Sequence, residues 1–122
     1  VEQQVRVLIV EDSRVGELLR VILEREGHDP VVTECGEDGW TELNDPRRPE
    51  LLILDRMLPD MDGADLLARM RLDSRTAQVP VLVLTAAAQA SGDLDDGVRT
   101  RVLGKPFELS ELKQVISALT EH

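Results

Sequence analysis

Several short apolar runs in this sequence lead into groups that can do chemistry. VRVLIV runs into Glu11 and Asp12, LLIL into Asp55 and VPVLVL into Thr85, while RVL is followed closely by Lys105. A carboxylate at the end of a run apolar enough to be buried on both faces is costly unless it reaches solvent or has partners. Clustered carboxylates repel one another, and their pKa values rise unless a cation joins them. A hard divalent cation with oxygen ligands, Mg2+ above all, meets that need and keeps coordination positions for water or phosphate oxygens. Such an ion would bridge Asp12 and Asp55, with Glu11 holding a metal-bound water. Lys105 is a compact cation able to pair with one oxygen of an incoming phosphoryl group, and Thr85 can donate a hydrogen bond to another. A central carboxylate, a metal and two donors make a site that accepts a phosphoryl group by in-line transfer, with Asp55 as the nucleophile and an acyl phosphate as the product. Singly, each residue has a simpler reading: Glu11 and Asp12 as a helix start, Thr85 as a strand-end hydrogen bond, Lys105 as a surface charge. The signal lies in the constellation.

The apolar runs alternate with helical patterns. Residues 5–10, 30–34, 51–55, 79–85 and 101–103 read as strands. Val15, Leu18, Leu19, Ile22 and Leu23 stripe a first helix that stops at Gly27. Residues 36–44 form a short helix carrying Trp40 and Leu43. Asp62 is the N-cap of a helix bearing Leu66, Leu67 and Met70, and Leu109, Leu112, Val115, Ile116 and Leu119 stripe a terminal helix. Strands one, three and four are apolar on successive residues, as expected of parallel strands covered on both faces. The expected fold is α/β: a doubly wound, five-stranded parallel sheet in a flavodoxin-like three-layer sandwich. Such sheets gather their functional groups at the carboxyl ends of the strands, where Glu11, Asp12, Asp55, Thr85 and Lys105 fall.

At 122 residues the chain is one domain, 1–122. It does not begin with Met, as expected of a trimmed or excised piece. Its formal charge of −10 argues against direct binding of nucleic acid by this segment and suits metal cations or a basic partner surface. No apolar stretch approaches the length of a membrane span, and the single cysteine, Cys35, excludes an internal disulfide and fits a reducing compartment. Aromatics are scarce, with one Trp, one Phe and no Tyr, so the core must be aliphatic.

VLIVEDS, LLILDRMLPDMDG, VPVLVLTA and LGKPF resemble, in order and spacing, the signature segments of the response-regulator receiver domain of two-component signalling. The resemblance implies a cytoplasmic phosphoacceptor module rather than an enzyme, beyond self-phosphorylation from small phosphodonors and slow autodephosphorylation. It implies that Glu11 and Asp12 bind Mg2+ with Asp55 and the Met57 backbone carbonyl. Asp55 is then phosphorylated by a sensor histidine kinase or phosphotransfer protein, and Thr85 and Lys105 match the switch hydroxyl and the phosphate-pairing lysine. The Lys105–Pro106 bond is expected to be cis, and the output is a downstream protein or an attached effector domain.

The chain departs from the family pattern in three places. Val102 stands where an aromatic ring usually swings inward during switching. The segment between Thr85 and Lys105 is short, and its AAAQASGDLDDG has weak apolar periodicity, so the fourth helix is expected to be short or irregular. Met57 and Ala87 occupy the two places that tune hydrolysis of the acyl phosphate, and neither side chain can orient an attacking water. These departures keep open a receiver-like scaffold whose output is independent of phosphorylation. A Mg2+-dependent phosphohydrolase of the haloacid-dehalogenase type is the remaining alternative, but the second acid such enzymes place two residues after the nucleophile is here Met57. His28 and His122 lack metal-ligand spacing and are expected to be solvated, and Trp40 is expected to pack.

Overall fold

The computed structural model describes residues 4–121, so His122 lies outside the described residues. The strands are Arg6–Val10 (β1), Asp29–Thr33 (β2), Leu51–Asp55 (β3), Val81–Thr85 (β4) and Thr100–Gly104 (β5). They form one sheet in the order β2-β1-β3-β4-β5, with every neighbouring pair parallel. The helices are Ser13–Arg25 (α1), Gly36–Leu43 (α2), Gly63–Leu72 (α3) and Leu109–Thr120 (α4).

Side-chain alternation along the central strands divides the core into two layers. Val7, Ile9, Leu51, Ile53, Leu82 and Leu84 pack with Leu19 and Leu23 of α1 and with Leu112, Ile116 and Leu119 of α4. Leu8, Val10, Leu52, Leu54, Val81 and Val83 pack on the other face with Leu43 of α2 and with Leu66, Leu67 and Met70 of α3. This is the doubly wound three-layer sandwich expected from the unbroken apolar runs. The strand order reverses between β1 and β3, and a crevice opens there outside the carboxyl ends.

The differences from expectation are local. β4 begins at Val81 rather than at residue 79, because Pro80 has no N–H to give the ladder. On α1 the packed stripe is narrower than the periodicity suggests: Leu19 and Leu23 are buried with Val15 and Ile22 against them, whereas Leu18 falls at the margin and is 53% exposed. His28 is not a solvated group; it is half-buried, and its Nδ1 accepts the Val5 N–H at 3.1 Å. Trp40 packs into the second layer as expected, with the Arg69 guanidinium 4.1 Å from its ring centroid.

The crossover between β4 and β5 contains no α-helix. A 3-10 helix, Gln89–Leu94, replaces it, burying Ser91 and placing Leu94 against the second layer. Asp96 Oδ1 then accepts the N–H groups of Val98, Arg99 and Thr100, and Asp95 Oδ2 accepts that of Val102 at 3.0 Å. Two aspartates thus cover the Thr100 and Val102 amides of β5, an edge strand that would otherwise expose them.

Candidate functional site

Each functional side chain arrives at the crevice because its strand ends there. Glu11 follows β1 and is fully buried, and its Oε1 accepts the Asp12 N–H at 3.0 Å. Asp12 caps α1: its Oδ1 accepts the N–H groups of Arg14 and Val15 at 2.9 and 3.0 Å, which leaves Oδ2 for another partner. Asp55 ends β3 with 7% exposure, and its Oδ1 accepts the Met57 N–H at 3.1 Å. Lys105 is delivered from beyond β5, where its N–H bonds the Thr85 carbonyl at 2.9 Å and the following Lys105–Pro106 bond is cis. The Lys105 ammonium lies 2.9 Å from Glu11 Oε2 and 3.4 Å from Asp55 Oδ1.

The electrostatics follow from burial and from these contacts. Burial pushes the Glu11 carboxyl up from 4.5 to about 7; Lys105 opposes the rise and Asp55 adds to it. Burial by itself would lower the Lys105 ammonium, but the adjacent carboxylates of Glu11 and Asp55 outweigh it and hold its pKa above that of an ordinary lysine. Asp12 is held low, first by its bond to the Val15 N–H.

These groups can hold a hard cation. Ligand atoms of Glu11, Asp12 and Asp55 all lie within 4.8 Å of one another. Glu11 Oε2 is buried without an aligned hydrogen-bond donor although the Lys105 ammonium is close. The Met57 carbonyl accepts no hydrogen bond among the described residues: the small bridge between Met57 and Asp62 is made by Leu58 N–H to the Met61 carbonyl and Gly63 N–H to the Arg56 carbonyl. A set of carboxylate and carbonyl oxygens suits Mg2+ rather than a softer metal.

The structure therefore brings Glu11, Asp12, Asp55 and Lys105 together. Thr85 stands apart. It is buried at the end of β4, and its Oγ1 accepts the Ala87 N–H at 3.0 Å instead of bonding Asp55. The Met57 side chain is 80% exposed. Val102 packs against the second layer and Phe107 against the first.

Sequence reasoning missed the anchors of the loop after β3. Asp60 accepts the Gly36 and Glu37 N–H groups at 2.7 and 3.0 Å, capping α2 in place of Cys35, whose side chain caps nothing. Those bonds, with the Leu58 N–H to the Met61 carbonyl and the Gly63 N–H to the Arg56 carbonyl, fix the loop that carries the Met57 carbonyl. Arg56 was also passed over. Its guanidinium donates to Asp62 Oδ1 at 3.2 Å and to the buried Ser91 hydroxyl at 2.6 Å. Partners 24 or 35 positions apart carry no local spacing signal.

Comparison with known proteins agrees with this architecture. A family model described as the response regulator receiver domain matches residues 7–117. The DNA-binding dual master transcriptional regulator RpaA of Synechocystis sp. is 36% identical over 117 residues, spanning 93% of this chain and 48% of the relative. The phosphate regulon transcriptional regulatory protein PhoB of Escherichia coli is 35% identical over 121 residues, spanning 93% of this chain and 51% of the relative. The chain thus spans about half the length of these curated relatives. The response regulator TrrA of Thermotoga maritima, solved in complex with Mg2+ and BeF, superposes with a TM-score of 0.81 at 26% identity, over 95% of this chain and 99% of that one.

Proposed function

The chain belongs to the response regulator receiver domains of two-component systems, and from that premise we propose that it works as a phosphoacceptor switch with Asp55 as the acceptor. The observation that carries the reading is the Lys105 ammonium set between Glu11 and Asp55. A cation already placed beside the acceptor costs no reorganisation when phosphoryl charge arrives.

The chain's own groups divide the work. Lys105 and the Met57 N–H both hold Asp55 Oδ1, so the carboxylate presents Oδ2 to phosphorus. Oδ2 attacks in line, and the bond from phosphorus to the histidine nitrogen of a sensor kinase or phosphotransfer protein breaks. Lys105 then pairs with a phosphoryl oxygen. Because Thr85 Oγ1 accepts from Ala87, its own O–H is left to donate to another. Glu11, Asp12, Asp55 and the Met57 carbonyl would hold Mg2+, which when bound neutralises charge on the transferring group. The complex of TrrA with Mg2+ and BeF is in keeping with that assignment.

The output is a change in protein contacts around β4 and β5, passed to a downstream protein or to an attached effector domain such as RpaA and PhoB suggest. A segment of net charge −10 is itself a poor ligand for nucleic acid, and no helix among the described residues is long and apolar enough to cross a membrane. The cytoplasm is the compartment in which a kinase would reach it. Val102 and the missing helix between β4 and β5 favour one second reading, a scaffold whose output ignores phosphorylation.

Intact mass after incubation with Mg2+ and acetyl phosphate tests the first reading. One added phosphoryl group in the wild type, absent in Asp55→Ala, supports it; no gain where a control receiver is modified overturns it. If the group is added but partner binding is the same with and without it, the scaffold reading takes its place.

A further inference from the structure

Arg56 follows the acceptor directly and is bonded to β4, to the start of α3 and to the 3-10 helix. Its N–H bonds the Leu84 carbonyl at 3.1 Å, next to Thr85. Its carbonyl accepts the Gly63 N–H at 2.6 Å at the start of α3. Its guanidinium reaches Asp62, the N-cap of α3, and Ser91, the buried residue of the 3-10 helix. Ser91 is fully buried although Gln89, Ala90, Gly92 and Asp93 around it are exposed. The contact with Arg56 is the polar bond that fixes this hydroxyl, since the other anchors of the segment, at Asp95 and Asp96, tie it to β5 rather than to the site.

We infer that the Arg56–Ser91 hydrogen bond is the switch contact of this chain, holding the 3-10 helix Gln89–Leu94 against the acceptor loop until Asp55 is phosphorylated and releasing it afterwards. The inference rests on the phosphoacceptor reading above. Its physical basis is a difference between the two partners of one guanidinium. Asp62 is a carboxylate and Ser91 a neutral hydroxyl, and charge-assisted bonds are about twice as strong as neutral ones. Phosphorylation adds negative charge to the residue directly before Arg56, on the loop whose Arg56 N–H and carbonyl are tied to Leu84 and Gly63. Asp62, the charged partner, keeps its hold and the neutral Ser91 is given up. No aromatic stands at the Val102 position to do this work; Val102, like Leu94, packs against the second layer as an aliphatic side chain.

By reciprocity, a contact made only in the unphosphorylated state opposes phosphorylation, so removing it strengthens binding of an acyl-phosphate mimic by the same factor. Ser91→Ala removes the hydroxyl with little change in volume. Arg56→Lys keeps the charge but loses the fork that spans both partners. Hydrogen–deuterium exchange of residues 89–95 and Mg2+–beryllofluoride affinity are measured on the wild type and both variants, with thermal unfolding to confirm that each folds. In the wild type, exchange in 89–95 rises when beryllofluoride binds. In both variants it is already high without beryllofluoride and does not rise further, and beryllofluoride binds about three- to tenfold more tightly. Destabilisation alone would loosen the segment without tightening the mimic. Unchanged or weaker beryllofluoride affinity in Ser91→Ala, or a persisting exchange step, overturns the inference. A wild type that is phosphorylated on Asp55 but exchanges 89–95 alike in both states overturns the contact alone, whereas a wild type that takes up no phosphoryl group overturns the functional reading beneath it.

Discussion

Gly63 is where the fold and the site meet most tightly, and Gly63→Ala is the sharpest test of that claim. The residue opens α3, and its N–H bonds the Arg56 carbonyl, so the chain passes directly over the end of β3. A Cβ built there would sit 2.9 Å from the Arg56 Cα and 3.2 Å from the Asp55 carbonyl carbon, with the Asp55 carbonyl oxygen nearer still. All three are backbone atoms of the acceptor loop and cannot rotate away. Gly36 is an internal control, since the atoms nearest a Cβ there all belong to the Met61 side chain, whose thioether can swing aside. Overpacking typically costs about 1–3 kcal/mol, and an unyielding neighbour puts Gly63→Ala at the upper end, about 2–3 kcal/mol after the small helical gain of alanine. For a domain of this size that lowers Tm by roughly 6–15 °C. Gly36→Ala should cost about 1 kcal/mol or less. Urea unfolding with linear extrapolation measures both, and acetyl phosphate uptake by intact mass reads the site. The relief of the clash must move Asp55 or Arg56, so Gly63→Ala should also accept phosphate more slowly under conditions where it is fully folded. Equal costs for the two glycines, or a Gly63→Ala protein within about 1 kcal/mol of wild type, would refute the reasoning.

Other consequences can be checked in parallel. In metal-free protein the Glu11 pKa of about 7 lies above its ordinary 4.5, so its contribution to stability is fully present below about pH 4.5 and is lost as pH rises through 7. The loss amounts to at most about 3 kcal/mol, and Glu11→Gln should flatten the dependence of urea stability on pH between about 5 and 8; an unchanged slope would contradict the assignment. Met57, with its side chain in solvent, can be changed to Asn without disturbing the fold, and Met57→Asn should shorten the lifetime of the phosphorylated form several-fold by supplying a group that orients water; an equal half-life would show that the site already does so. Arg71 donates to the carbonyls of Ala77, Val79 and Arg99 and to the Thr100 hydroxyl, stapling the amino ends of β4 and β5. Arg71→Ala should cost about 2–4 kcal/mol by leaving those acceptors unpaired, read by the same urea titration, and a cost below about 1 kcal/mol would mean that water replaces the staple.

What was legible in the sequence was whatever depends on a repeating pattern. The unbroken aliphatic runs implied parallel strands buried on both faces, and Leu51 to Leu54 divide between two layers as such a strand must. The polar residues closing those runs could be placed at one edge because a parallel sheet puts all its carboxyl ends together. The weak periodicity after Thr85 implied a short or irregular fourth helix, and the 3-10 helix Gln89–Leu94 stands there. Contacts that depend on a single side chain meeting a distant loop were not legible. Asp60 capping α2, Arg56 reaching Ser91 and His28 accepting from Val5 each join segments far apart in sequence, and only the folded geometry pairs them.

The charges of the crevice explain why a carboxylate as deeply buried as Glu11 persists. Glu11, Asp12 and Asp55 face one compensating ammonium, that of Lys105. With all carboxylates ionised, the cluster carries two uncompensated negative charges, the complement of one divalent cation. Without that cation the cheapest adjustment is a proton on the most buried member, and Glu11 is the group whose pKa burial pushes to about 7. Uptake of Mg2+ near neutral pH must then expel that proton, so metal binding should release a fraction of a proton at pH 7 and close to none at pH 8.5. Calorimetry in two buffers of different ionisation enthalpy reads the number directly. A Glu11→Gln protein should bind Mg2+ more weakly and release no proton from this position. Proton release that persists in Glu11→Gln would place the titrating group elsewhere and remove the charge argument for its burial.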